Sequence, residues 1–400
     1  MPGSTVPSQG HRSPMLAAIC ILAGFGSGLS DDVVPIPIKA KDAGPLFQIQ
    51  RGVEWGYMNR KGKVVIRPRF ENEGDFFEGL AKVRVSGNWG FIDEKGRLAI
   101  APVFQGTGDF HEGLAPVQVG RRWGFIDHAG KVVISPQFQG AGSFSDGLAL
   151  FEVWETIRCG GTGELYTRDN APMYALRLHN KTPSFSGACF SGNASYGFVD
   201  HRGIAIAATL PNASDFSEGL AAVRSERPAG LHVGYIDQRG KTAIEPRFDD
   251  AHSFAEGLAA VEVGFRVEGG RKTGGKWGYI AHDGTFAIAP QFEDARPFSD
   301  GLAEVSSASG KWGYIDKHGA FVIAPRYEET TQFSEGLALV QNDEGESWYI
   351  DKAGRDALRL PNSLWPRWPF SDGLTVVRVV GQQEQRYVDR RGGVVADYGP

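Results

Sequence analysis

Three nearly identical segments constrain the fold of this chain more than any other feature of its sequence. They read NWGFIDEKG at 88–96, RWGFIDHAG at 122–130 and KWGYIDKHG at 311–319. Aligned to itself, the chain gives nine units of about 35 residues, and the fourth unit carries a large insertion. Such a period is typical of repeat architectures, in which each unit buries its apolar surface against its neighbours. We therefore expect an array of small, similar units.

Each unit contains three short apolar runs with the alternation of β-strands. The second unit shows them as GLAKVRV at 79–85, WGFID at 89–93 and GRLAIAPVF at 96–104. An Asp-x-x-Gly sequence between the second and third runs predicts a tight hairpin. The glycine after each tryptophan predicts a close approach of a neighbouring ring or backbone, and the proline of the third run predicts a sheet edge or strand end.

These units resemble the WG repeat family of bacterial proteins. The family signature is W-G-[YF]-I-D-x-x-G, followed by I-x-P-x-[FY] and F-x-[ED]-G-L-A, and the resemblance covers residues 46–398. It is clearest at five tryptophans: Trp55, Trp89, Trp123, Trp277 and Trp312. The resemblance implies a β-rich repeat scaffold with no shared enzymatic activity.

The predicted fold is all-β, with about nine three-stranded antiparallel units in an open, twisted, solenoid-like stack. A closed ring of the β-propeller type is the alternative. Nine units exceed the roughly four to eight blades usual in propellers, and three strands fall short of the usual four. The chain ends also show no strand offset that would close a ring. The open stack is therefore favoured, with the degenerate last unit as a cap.

Residues 1–30 have the pattern of a secretory signal peptide, and residues 31–45 form a linker in this interpretation. A polar start is followed by an apolar run from Met15 to Gly26 and by small residues. The run is too short for a comfortable membrane span. We expect a secreted or periplasmic protein with no membrane span in the mature chain; an uncleaved anchor or a misassigned start is the alternative.

The insertion at 154–195 is the stretch that escapes repetition. Long loops on rigid scaffolds often carry function, so it supplies the candidate binding residues. These are Trp154, Tyr166, Arg168, Tyr174, Arg177 and His179. The two cysteines that remain after signal removal, Cys159 and Cys189, also lie here and predict a disulfide. Neutral loop growth is the alternative, and a smaller Gly-rich basic loop occupies 264–276.

Two series of side chains recur along the units and each allows two interpretations. The connectors carry the acids Glu78, Glu112, Asp146, Glu218, Glu256, Asp300, Glu335 and Asp372. They could form a row of carboxylates that holds cations, but presence in every connector favours local hydrogen bonding. The five repeat tryptophans could stack on sugars if exposed, but the need to fill the junctions between units favours a core role.

No motif in the sequence specifies a reaction. The chain contains no H-E-x-x-H, G-x-S-x-G, Cys-x-x-Cys or calcium-loop pattern, and no metal or cofactor is predicted. A net charge of −5 without a basic run disfavours nucleic acid as a partner. The leading hypothesis is an exported, non-enzymatic scaffold that contacts a protein or a cell-envelope polymer. A hydrolase that uses the connector carboxylates and a ligand-free structural spacer are the alternatives.

Overall fold

A computed structural model describes residues 44–154, 194–227, 230–268, 271–366, 368–382 and 384–398. Within these ranges the chain forms 36 β-strands and no helix, which confirms the all-β prediction. None of the described segments is a helix long and apolar enough to span a bilayer.

The strands form nine successive sheets, which we call blades 1 to 9, and the neighbouring strands of each blade pair antiparallel. Blade 1 consists of β1 (Leu46–Arg51), β2 (Glu54–Asn59) and β3 (Val64–Phe70). Blade 2 consists of β4 (Asn72–Phe77), β5 (Leu80–Val85), β6 (Asn88–Asp93) and β7 (Leu98–Phe104). Blade 3 consists of β8 (Gly106–Thr107), β9 (Leu114–Val119), β10 (Arg122–Asp127) and β11 (Val132–Phe138). Blade 4 consists of β12 (Gly140–Ser145), β13 (Leu148–Trp154), β14 (Ala194–Asp200) and β15 (Ala205–Leu210). Blade 5 consists of β16 (Leu220–Arg227), β17 (Gly230–Asp237) and β18 (Thr242–Phe248).

Blade 6 carries an extra hairpin in the loop between its second and third strands. It consists of β19 (Asp250–Ala251), β20 (Ala259–Val263), the hairpin β21 (Arg266–Glu268) and β22 (Arg271–Thr273), β23 (Lys276–Ile280) and β24 (Phe286–Phe292). Blade 7 consists of β25 (Asp294–Ala295), β26 (Ala303–Ser306), β27 (Trp312–Ile315) and β28 (Phe321–Tyr327). Blade 8 consists of β29 (Glu329–Thr330), β30 (Leu337–Gln341), β31 (Ser347–Asp351) and β32 (Asp356–Leu358). Blade 9 is β33 (Leu364–Pro366), β34 (Leu374–Val379), β35 (Gln385–Asp389) and β36 (Val394–Tyr398).

Seven blades have four strands where the sequence predicted three, so the predicted strand number is wrong. The missed strand comes first in its blade. It has six residues in β4 and β12 and only two or three in the other five blades, as in β8. In blade 5 an isolated bridge from Ala213 to Val223 marks its place. These segments carry glycine and acidic residues instead of alternating apolar side chains, as in ENEGDFF at 71–77. The period-two pattern therefore does not reveal them.

The connector between the first and second strands is a two-residue hairpin turn. Its acid and its glycine both have positive φ, 50° at Glu78 and 81° at Gly79. Two successive residues of this kind are typical of a type I′ turn, whose twist matches that of the flanking strands. The predicted Asp-x-x-Gly hairpin also forms, because Asp93 Oδ1 accepts hydrogen bonds from the amides of Lys95 and Arg97 at 3.0 and 2.9 Å.

The glycine after each repeat tryptophan lies against a bulge of the last strand of its blade. In blade 2, Trp89 pairs with Phe104 and Phe91 pairs with Ile100, so residues 101–103 bulge opposite Gly90. A Cβ on this glycine would lie 2.6 Å from the carbonyl oxygen of Ile100. The bulge also contains the proline, which has no N–H to contribute to the ladder. The predicted close approach and the edge position of the proline are confirmed.

The hydrophobic core lies between successive blades. Tyr57, Ile66 and Phe70 of blade 1 form one cluster with residues of blade 2, and equivalent clusters follow around the molecule. Trp277 is buried, while Trp55, Trp89, Trp123 and Trp312 are half-buried. Of the five repeat tryptophans, one is therefore buried in a junction and four remain partly exposed.

The blades close into a ring, so the prediction of an open stack is wrong and the ring alternative is right. Blade 9 packs against blade 1 through a cluster that contains Ile49, Met58, Leu374 and Tyr387. The rings of Phe47 and Tyr387 meet edge-on with their centroids 5.7 Å apart. Strand β1 also contacts β36. The fold is a nine-bladed β-propeller.

Closure follows from repetition of one junction with a constant rotation. A rotation of about 40° from each blade to the next completes a full turn in nine blades. The terminal blades then meet through matching apolar faces, so the chain ends need not share a strand. The cap predicted at the degenerate last unit is also wrong. Tyr387 and Val388 of that unit are buried, and a cap would instead present a polar outer face.

Candidate functional site

The loops of the propeller divide between two faces. At one, which we call the WG face, Trp89 lies near the start of β6, opposite Arg84 near the end of β5 and opposite Phe104 at the end of β7. The loops between the second and third strands lie here. At the other, which we call the acid-turn face, Asp93 pairs with Leu80 next to the acid–glycine turn. The repeat thus places the tryptophans on one face and the connector acids on the other.

On the acid-turn face, connector carboxylates bind the next blade. Glu112 accepts a hydrogen bond from the amide of Gly147 at 2.9 Å, and Asp146 accepts one from Gly219 at 2.7 Å. The same bond joins Glu78 to Gly113, Glu218 to Gly257, Glu256 to Gly301, Asp300 to Gly336 and Glu335 to Gly373. This contact explains why the acids recur, and it supports local hydrogen bonding over a row that holds cations.

Most of these carboxylates also meet a side chain in the Asp-x-x-Gly turn of the next blade. His128 Nε2 lies 3.1 Å from Glu78, and Lys352 Nζ lies 2.7 Å from Asp300. Among the residues that the structure describes, no group of three or more His, Cys, Asp or Glu side chains could hold a metal ion. The hydrolase alternative requires free connector carboxylates, so it gains no support from this geometry.

The insertion begins and ends on the WG face. Trp154 is the last residue of β13 and pairs with Ala194 of β14, so the chain leaves and re-enters the blade at adjacent positions. The other predicted binding residues, Tyr166, Arg168, Tyr174, Arg177 and His179, lie outside the described residues, as do Cys159 and Cys189. The predicted signal peptide at 1–30 and residues 31–43 of the predicted linker also lie outside them.

A cavity of about 360 Å³ lies between blades 8 and 9 and reaches the WG face. Blade 8 lines it with Glu329, Thr331, Gln341 and Ser347, and blade 9 lines it with Trp365 and Arg378. Its size is near the lower end for small-ligand pockets, and its walls combine an aromatic ring with both signs of charge. We call this cavity, together with the exposed Trp368 that follows two residues after the lining residue Pro366, the blade 8/9 groove.

Two tryptophans outside the WG pattern make the groove unusual. The side chains of Trp365 and Trp368 are 47% and 57% exposed. The backbone of Trp368 is fixed, because its carbonyl accepts hydrogen bonds from the hydroxyls of Tyr349 at 2.7 Å and Thr375 at 2.8 Å. Exposed aromatic rings on a fixed backbone can bind a partner with little loss of conformational entropy.

The sequence predictions missed this groove. Trp365 pairs with the second strand at the position held in six other blades by Asn72, Gly106, Gly140, Asp250, Asp294 and Glu329. The available signal was the segment PNSLWPRWPF at 361–370, which places two tryptophans where the repeat calls for small or polar residues.

Glu304 is a buried carboxylate in blade 7 with a perturbed titration. Its side chain is 1% exposed, and Oε2 lies 3.1 Å from Nη1 of Arg296. Burial raises the pKa of Glu304 to about 7, against the opposing effect of the guanidinium. Because a side chain this deeply buried cannot reach a surface ligand, we assign the shift to packing rather than catalysis.

Glu304→Gln is expected to flatten the pH dependence of stability. The folded-state pKa is raised from 4.5 to about 7, so ionisation of Glu304 costs stability as pH rises through this interval. Between pH 5 and 8 the free energy of unfolding of the wild-type protein should fall by roughly 2 kcal/mol more than that of the variant. Urea denaturation at several pH values measures this difference. Arg296→Met should make the free energy of unfolding fall more steeply with pH, because it removes the guanidinium that opposes the rise in the pKa of Glu304. If the free energies of unfolding of wild type and E304Q changed with pH in parallel, the raised pKa of Glu304 would be contradicted.

The chain matches the family model described as "WG containing repeat" in six segments. They are residues 55–89, 89–122, 123–153, 234–264, 277–308 and 312–345. No curated protein matches the chain in sequence.

Among solved structures, the chain is similar to BamB from Moraxella catarrhalis, with 10% identity, a TM-score of 0.36 and coverage of 82% of this chain and 96% of that one. It is also similar to Porphyromonas gingivalis dipeptidyl peptidase 4, with 8% identity, a TM-score of 0.44 and coverage of 90% and 58%. Kluyveromyces lactis Hsv2 gives 11% identity, a TM-score of 0.32 and coverage of 70% and 90%. The propeller assignment rests on the chain's own strand pairings and closing junction. With six matched repeats distributed along its blades, the chain belongs to the WG repeat family.

Proposed function

We propose that this protein is a non-enzymatic interaction scaffold that binds a protein partner on its WG face. The observation that carries the proposal is the blade 8/9 groove, where the exposed Trp365 lines a cavity together with polar and charged side chains, and a second exposed tryptophan, Trp368, follows three residues later in the chain. Tryptophan and arginine are enriched among the residues that dominate protein–protein binding energy. The ring of blades provides the rigid support that such a surface needs.

The two faces have different roles in this proposal. The acid-turn face engages its carboxylates in bonds between blades, which leaves the WG face to carry the sequence variation. That variation includes the insertion after Trp154, the β21–β22 hairpin and the tryptophans of blade 9. Loops that differ among otherwise similar units are the usual place for recognition on a repeat scaffold.

The combined variant Trp365→Ala and Trp368→Ala should weaken capture of the partner by at least about 30-fold, the loss that one interface hot spot of about 2 kcal/mol produces. The measurement is a pull-down from envelope and soluble fractions, followed by titration of the captured protein. Phe321→Ala is the matched control, since Phe321 is 46% exposed on the outermost strand of blade 7. Equal affinity of the double variant and the control would contradict a role for the groove.

A second variant tests the insertion on the same partner. Residues 155–193 are replaced by Asn-Gly, which can close a hairpin because Trp154 and Ala194 are paired neighbours. Loss of capture in this variant alone would place binding in the insertion. Absence of any saturable partner for the wild-type protein would favour the structural-spacer alternative.

We also propose that the protein is secreted or periplasmic. The support is the polar start, the apolar run at 15–26 and the small residues that follow. N-terminal sequencing of the mature protein tests this proposal, and an intact Met1 on protein from a cytoplasmic fraction would contradict it.

A further inference from the structure

We propose that the blade 8/9 groove binds an extended peptide segment that carries one carboxylate beside an apolar side chain. The apolar side chain packs on Trp365, and the carboxylate pairs with Arg378. This inference rests on the proposed scaffold function and specifies the chemistry of the partner at the same site.

Arg378 is an exposed cation with no ion pair to any residue in the described part of the chain. The arginines at the same strand position in two other blades do have acidic partners. Arg84 lies 4.0 Å from Glu71, and Arg224 lies 3.1 Å from Asp250. Blade 9 keeps the arginine but places Trp365 opposite it in the strand ladder. The guanidinium is therefore left beside the cavity, available to a carboxylate from outside.

The aromatic side chains supply the apolar half of the site. Trp365 pairs directly with Arg378, so an apolar group on the indole lies within one residue length of the guanidinium. In an extended peptide, side chains two positions apart lie on the same side about 7 Å from each other. A segment with an apolar residue and an acidic residue two positions apart can therefore present one side chain to the ring and the other to the cation.

The opposite wall of the cavity limits how much negative charge the site accepts. Glu329 of blade 8 lines the cavity, is exposed and has no ion pair among the described residues. A polyanion would meet this carboxylate, whereas a segment with one acid can direct its charge toward Arg378 alone. Gln341 Nε2 donates a hydrogen bond to Ser347 Oγ at 3.1 Å, which leaves the Gln341 amide oxygen as an acceptor and the Ser347 hydroxyl as a donor for the peptide backbone. The cavity, about 360 Å³, has room for one or two side chains rather than a folded domain.

The test uses full-length protein and three fluorescein-labelled 12-residue peptides. Each contains one central Leu-Ser-Asp, Leu-Ser-Asn or Leu-Ser-Lys segment, which places the variable residue two positions after leucine, and only serine and glycine elsewhere. Fluorescence anisotropy should show the Asp peptide binding at least about 10-fold more tightly than the Asn peptide, the contrast expected of a charge-assisted pair. The Lys peptide should bind more weakly still. Trp365→Ala with Trp368→Ala should reduce binding of all three peptides.

Arg378→Gln is the decisive variant, because it should abolish the preference for the Asp peptide over the Asn peptide. It should leave the melting temperature of the protein unchanged, since Arg378 is exposed. Arg378→Glu should favour the Lys peptide. Equal affinity for Asp and Asn peptides in the wild type, or a preference that survives R378Q, would overturn the proposal. So would binding confined to a galacturonic acid trimer, which would indicate an acidic glycan instead.

The outcomes separate this inference from the proposed function. If the tryptophan variants lose the cellular partner while peptides show no charge preference, the scaffold function stands and the acidic-peptide chemistry is wrong. If the tryptophan variants keep the partner, the groove is not the interface and both proposals fail at this site.

Discussion

Replacing Gly278 with alanine is expected to lower the free energy of unfolding by at least about 3 kcal/mol. A Cβ at this position would lie 2.6 Å from the carbonyl oxygen of Ile288 and 2.7 Å from the nitrogen of Pro290. Both atoms belong to the backbone of the bulged fourth strand, so no rotation of a side chain relieves the clash. The strand cannot retreat easily either, because Ile288 is buried in the core cluster between blades 6 and 7.

The matched control for this substitution is Gly301→Ala. Gly301 has a φ of 87°, and a Cβ there would meet nothing within 4 Å. Gly301→Ala should therefore lower the free energy of unfolding by only about 1 kcal/mol, because alanine is strained at positive φ. Urea denaturation followed by circular dichroism gives both losses. Equal losses would show that the fourth strand yields at the bulge, which would remove the steric reason for the glycine that follows the repeat tryptophan in five units.

Much of the blade could be predicted from its residues because the signal is local. The alternation in GLAKVRV predicted β5, and the Asp-x-x-Gly turn that ends in Gly96 predicted the hairpin between β6 and β7. The glycine after Trp89 predicted a close backbone contact. Each of these inferences depends on residues a few positions apart, where turn chemistry and strand periodicity act directly.

The first strand and the ring were beyond such local reasoning. A strand such as β8 has two residues, and it is stabilised by pairing with β9 and by packing beside neighbouring blades rather than by its own pattern. Closure depends on the rotation at each junction summed over nine blades, a quantity that no single repeat displays. The groove at Trp365 was missed for a different reason: it is a departure from the repeat, and self-alignment emphasises what the units share.

Gly62→Ala is expected to destabilise the propeller at the junction that closes the ring. Gly62 lies in a turn of blade 1, and a Cβ there would be 2.5 Å from the carbonyl oxygen of Val395 in blade 9. Since Val395 is distant in sequence, this contact exists only if the chain closes on itself. We expect a loss of at least about 2 kcal/mol beyond the cost of the positive φ, because the clash is again with backbone.

Gly52→Ala in the same blade separates closure from local strain. Gly52 has a φ of 62°, close to the 77° of Gly62, but a Cβ there would meet nothing within 4 Å. In a closed ring, G62A should lose more stability than G52A, and amide hydrogen exchange in β1 and β36 should quicken in G62A alone, because local opening of this junction becomes easier. In an open array the two variants would lose the same amount, since position 62 would face solvent. Equal losses together with unchanged exchange in both strands would therefore contradict the ring.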